Sequence, residues 1–77
     1  MRHDQLYKEF LSKLRKARAE AGLTQKQVAD LLQKPQSYVS KSESGERRVD
    51  IVELAEFARI YGKPFGYFLE IEKRPPE

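Results

Sequence analysis

Gln36, Ser37, Ser40 and Lys41 lie close together in the stretch Leu23 to Gly45, LTQKQVADLLQKPQSYVSKSESG. A glutamine amide donates and accepts at once and can pair bidentately with adenine. A lysine ammonium can reach guanine O6 and N7, and a serine hydroxyl adapts to either. Each good bidentate pair discriminates against the wrong base by ~1–3 kcal/mol. Side chains of these types can hydrogen-bond to base edges in the DNA major groove, which is ~12 Å wide and admits one α-helix. Such chemistry requires the polar residues to stand on a helix held outside the core, so the elements that would hold it come next.

Apolar residues recur with helical spacing, and no run alternates with period two as a strand would. Leu6, Phe10, Leu14, Ala17 and Ala21 set helix one from about Asp4 to Ala21, with Gly22 placed to end it in the left-handed region. Thr24 caps helix two, and Gln27 completes a capping box. Val28, Leu31 and Leu32 form its inner face, and Ala29 allows close packing. Helix two stops near Gln33 because Pro35 drives Lys34 out of α geometry. Proline suits a first helical turn, so helix three runs from about Pro35 to Ser44, with Gly45 after it. Asp50 and Glu53 form a second capping box, and Val49 stands where a hydrophobic staple would. Helix four follows over 50–61, with Ile51, Leu54, Ala55, Ala58 and Tyr61 inward. Gly62 closes it, Pro64 opens a short aromatic helix five over 64–70, and the polar tail 71–77 is expected to fray. The fold class is all-α: one five-helix domain over 1–77, with a helix-turn-helix made by helices two and three.

The stretch Leu23 to Gly45 resembles the helix-turn-helix of the phage-repressor and Cro (XRE) family of bacterial and phage regulators. The likeness rests on Leu23-Thr24-Gln25, Val28-Ala29, Ser37-x-Val39-Ser40 and Glu43-x-Gly45, and extends over helices one to five. The resemblance implies a lambda-repressor-like fold that binds double-stranded DNA as a transcriptional regulator, expected to be a repressor acting by occupying a palindromic operator. It implies base contacts from Gln36, Ser37 and Lys41, to which Ser40 adds one turn on. Gln25 resembles the family glutamine that bonds a phosphate and braces the first residue of the recognition helix. Thr24, Tyr38, Ser44, Arg47 and Arg48 fall in the phosphate-contacting set, which fixes register without reading sequence. Val39 should point inward, and Arg18 with Glu43 resembles a family ion pair tying helix three to helix one. The chain departs from the pattern at Gln33, where glycine is common, at Lys34, where an aliphatic residue usually packs, and at Ser42, which replaces a large apolar residue. Either Gln33 then adopts positive φ at some cost, or the turn differs slightly. The Lys34 stem can cover the core, and helix three should be anchored more weakly at Ser42. Read singly, Lys41 is an ordinary surface lysine, the serines are helix filler, and Arg47 and Arg48 belong to a polar loop.

Composition bounds the rest. Seventy-seven residues carry a formal charge of +3, with the first 48 residues net +5 and the last 29 net −2. That polarity suits one face toward phosphate. There is no cysteine and a single histidine, His3, close to the start of the chain, and no glycine-rich phosphate loop. No thiolate is available for metal binding or catalysis. The carboxylates fall at helix caps and solvent faces with no pair placed to polarise its partner, so neither an enzyme nor a cofactor or metal is expected. Without a signal peptide or a spanning segment, a cytoplasmic protein is expected, with no small-molecule ligand. Dimerisation is expected because one such domain offers little DNA contact and two half-sites ~34 Å apart match a two-fold dimer. The expected surface is Phe57, Ile60, Phe65, Tyr67, Phe68 and Leu69. The rival readings are a protein-interaction module on the same fold, and the antitoxin or restriction–modification controller variants of a DNA binder.

Overall fold

The computed structural model describes residues 2–69, which form five helices: α1 (Arg2–Glu20), α2 (Gln25–Leu32), α3 (Gln36–Ser44), α4 (Ile51–Tyr61) and α5 (Phe65–Leu69). The end of helix five at residue 70 and the tail 71–77 lie outside the described residues. None of the described helices is long and apolar enough to cross a membrane.

Local signals define the boundaries. The Thr24 hydroxyl accepts from Gln27 N at 3.0 Å, while the Gln27 side chain accepts from Thr24 N at 2.8 Å. Asp50 and Glu53 repeat the arrangement at α4, at 2.8 and 3.0 Å. These reciprocal bonds satisfy amides that a helix start otherwise leaves open. Pro35 is the N-cap of α3 rather than its first helical residue, with extended backbone at φ −67° and ψ 155°. Gln33 ends α2 in the left-handed region at φ 58°, the only non-glycine among the described residues with positive φ. Its amide still reaches back to Ala29 and Asp30 carbonyls, so the cap is made despite the side chain. Gly45 ends α3 at φ 88°, and a Cβ there would meet Leu11 Cδ1 at 2.9 Å. Glycine is required there twice over, by backbone conformation and by space.

The core gathers Phe10, Leu11, Leu14 and Ala17 of α1, Val28 and Ala29 of α2, Val39 of α3, Leu54, Phe57, Ala58 and Tyr61 of α4, and Phe68 of α5. α2 packs chiefly on α3, and α1 packs against α3, α4 and α5. Several expected core positions lie outside. Leu31 is 61% exposed and Ile51 67%, while Leu6, Ala21 and Ala55 are also exposed. The reason is angular. The buried stripe of α2 is centred between Val28 and Ala29, so Leu32 lies near it and Leu31 points about 110° away. Ala55 is turned by a similar angle from the stripe of α4. Helical spacing locates an apolar arc, and neighbouring helices choose which part of it is covered.

Phe57 and Phe68, expected on a dimer surface, are core residues at 0% and 2% exposure. Phe57 lies between Tyr61 and Tyr38, with ring centroids 5.9 and 6.3 Å away, and Phe68 meets Phe10 edge-on at 6.5 Å. Five short helices absorb these two aromatics because α4 and α5 close directly over α1. Ile60 and Tyr67 are half-buried, and Tyr67 has Lys13 and Lys63 over its ring. Phe65 and Leu69 remain exposed. With Leu6, Tyr7, Val49, Ile51 and Leu54 they line an apolar groove of about 260 Å³ between the ends of α1, α4 and α5.

Candidate nucleic-acid interface

α3 divides cleanly into two faces. Val39, Ser42 and Glu43 are buried, while Gln36, Ser37, Lys41 and Ser44 are exposed and Ser40 is partly so. The outward residues recur at one- and four-residue steps and therefore share one side of the helix. Ser40 Oγ donates to Ser37 O at 3.3 Å, and Ser44 Oγ donates to Lys41 O at 3.2 Å. Both hydroxyls donate within their own helix, and Ser44 Oγ also accepts from Glu46 N at 3.3 Å, while each retains acceptor capacity.

The buried face is clamped by charge. Glu43 accepts from Arg18 Nε at 2.6 Å and Nη2 at 3.1 Å, a two-pronged pair joining α3 to α1. Paired and hydrogen-bonded in this way, the carboxylate can lie at 2% exposure. Arg18 Nη1 also donates to Leu23 O at 3.0 Å, and Arg15 Nη1 donates to Glu43 O at 2.9 Å. Burial pushes the neighbouring Tyr61 phenol well above its ordinary range, with the Glu43 charge adding to the effect. Gln25 Nε2 donates to the same carboxylate at 3.0 Å, and Gln36 Nε2 donates to Gln25 Oε1 at 3.4 Å. A single polar chain thus runs from α1 through Glu43 and Gln25 to the first residue of α3. Gln36 is braced from below while the rest of its side chain faces outward.

The loop after α3 holds a second cluster. Arg48 is exposed, with its guanidinium 4.4 Å from the Tyr7 ring centroid, and the Tyr7 hydroxyl accepts from Val49 N at 3.1 Å. Arg47 and Tyr38 were expected among the phosphate contacts, yet both are drawn inward. Arg47 pairs with Glu53, and its guanidinium stacks 4.1 Å from the Tyr38 ring centroid. The bond from Arg47 holds the Glu53 carboxyl below its ordinary range, and burial raises the Tyr38 phenol. Lys34, expected to cover the core with its stem, meets it only at the half-buried Tyr38 among the contacts described. It is exposed, with Nζ 5.3 Å from the Tyr38 ring centroid, adding positive charge near the start of α3. Nor is α3 loosened at Ser42, which is fully buried and donates to Tyr38 O at 2.7 Å. Arg15 is the residue missed in this region, since it lies outside the motif and reaches Glu43 O only by through-space packing of α1 on α3.

The geometry therefore presents a polar, hydrogen-bonding helix beside a loop that exposes Arg48, with Val39, Ser42 and Glu43 buried on the inner side. A helix-turn-helix family model matches residues 14–68. An XRE-family like protein from Pseudomonas syringae pv. tomato str. DC3000 shares 43% identity with a TM-score of 0.81, covering 87% of this chain and 82% of that one. No curated protein matches the chain. Domains of this type bind DNA and are not enzymes, and on the match and the shared fold the chain belongs to the XRE family of helix-turn-helix regulators.

Proposed function

We propose that the chain is a small repressor that reads a palindromic operator as a dimer. Gln36, Ser37, Ser40 and Lys41 contact base edges, and Thr24, Gln25, Ser44 and Arg48 contact phosphates. The observation that carries this reading is the two-faced α3, with its polar side outward and its inner side bound to Arg18 and Gln25 through Glu43. A helix so fixed meets the groove without first paying for ordering, which favours discrimination over loose attachment. Pairing of two copies uses the exposed apolar edge around Phe65 and Leu69, together with the half-buried Ile60 and Tyr67, because clustered exposed apolar residues mark interfaces. Isologous pairing would set two recognition helices on one side of the assembly.

The test is selection from a random duplex library at about 150 mM salt, since phosphate-driven affinity varies steeply with salt. Enrichment of an inverted repeat supports the proposal in full. Enrichment of one half-site keeps base reading and removes the dimer. No enrichment by folded protein would move the assignment to a protein-interaction module.

A further inference from the structure

Arg47 is held by several partners while its side chain stays 31% exposed. Its backbone N–H donates to Lys41 O at 3.1 Å. Its Nη1 donates to Ser42 Oγ at 3.3 Å and to Arg48 O at 3.4 Å. Its Nη2 pairs with Glu53, and its plane covers the Tyr38 ring. Glu53 also accepts from Asp50 N at 3.0 Å and so belongs to the capping box of α4. Tyr38 in turn stacks on Phe57 in the core. Arg47 is therefore the one side chain among these that touches the middle of α3, the loop and the first turn of α4 together.

We infer that Arg47 is a positioning residue, which fixes the tilt of α3 against α4 through Ser42, Tyr38 and Glu53 and thereby sets base discrimination without touching nucleic acid. The inference rests on the proposed reading of DNA by α3. A serine at position 42 leaves little apolar volume to anchor the middle of the helix, and the clasp around Arg47 supplies the anchorage with polar contacts. The planar guanidinium suits this task because one face stacks while the edges donate. Were Arg47 to turn these donors to a phosphate, Ser42 Oγ would lose the Arg47 donor and Glu53 would keep only the Asp50 N–H of the bonds described, an exchange that charge-assisted bonding at a partly buried site opposes. Arg48, exposed beside it, has no such commitment to a carboxylate among the bonds described.

The experiment measures binding of the full chain to its selected operator and to base-substituted operators over a range of salt, for wild type, Arg47→Ala, Arg47→Lys, Glu53→Gln and the double variant R47A/E53Q. Circular dichroism checks folding. Arg47→Ala and Glu53→Gln should each lower discrimination at the positions read by Gln36 and Lys41 by about tenfold, the scale of one bidentate pair. The salt slope should not change, the double variant should be no worse than the singles, and lysine at 47 should not rescue. A slope flattened by about 1 in Arg47→Ala, with tighter binding of every sequence by Glu53→Gln, would instead make Arg47 a phosphate contact restrained by Glu53 and overturn the inference. Unchanged discrimination in both single variants overturns it as well. If Arg47→Ala does not fold, Glu53→Gln decides alone, by weaker discrimination or by tighter indiscriminate binding. A wild-type protein that selects no sequence is a distinct result, because it removes the reading of α3 and the inference with it.

Discussion

Glu43 shows how one side chain can serve stability and recognition together. It accepts both prongs of Arg18 and the amide of Gln25, and that amide braces Gln36. Glu43→Ala should cost about 3 kcal/mol in urea unfolding, because a partly buried guanidinium and an amide lose their acceptor. A loss below about 1 kcal/mol would mean that water replaces the carboxylate without penalty. Lys41 has the opposite character, being exposed at the outer face of α3. Lys41→Ala should leave stability within about 0.5 kcal/mol and relax base preference at one position of each half-site. Library selection with the variant checks this, and an unchanged preference takes Lys41 out of the base-reading set.

At the scale of elements, the turn between α2 and α3 carries a local cost. Gln33 holds φ 58° with a full side chain exposed to solvent. A left-handed conformation costs an L-residue roughly 1–2 kcal/mol, against about 0.5–1 kcal/mol for the greater freedom glycine loses on folding. Gln33→Gly should therefore stabilise the domain by about 0.5–1 kcal/mol in urea titration with an unchanged slope. No gain would mean that the glutamine contributes packing equal to its strain. α3 itself is held by elements distant in sequence. Arg18 reaches it from α1 and Glu53 reaches its loop from α4, so its orientation belongs to the assembly of helices rather than to the motif.

At the scale of the whole molecule, the aromatics and leucines near the end of the described chain divide into two populations. Phe57→Ala should cost about 3–5 kcal/mol, because it empties a fully enclosed site. Leu69, 54% exposed at the rim of the apolar groove, contributes little to the monomer. Leu69→Asp should leave urea unfolding of the monomer nearly unchanged and shift sedimentation equilibrium from dimer to monomer. A variant that remains dimeric would place the interface elsewhere. The charge asymmetry belongs to this scale as well, since the basic first 48 residues include α3 and the Arg48 loop.

Five helices, two capping boxes and the helix-turn-helix motif follow from the sequence alone, because caps, prolines and glycines act over three or four residues and apolar spacing reports a helical arc. The left-handed Gln33 was one of two outcomes open at a position where the motif has glycine, and the structure takes it. Only the tertiary structure decided which part of each arc is covered, hence the exposure of Leu31, Ile51 and Ala55 and the burial of Phe57 and Phe68. It also decided that Arg47 turns to Glu53 and Tyr38, and that a buried Ser42 is held by hydrogen bonds. Burial and charge pairing depend on distances between helices, and such distances leave no periodic trace along the chain.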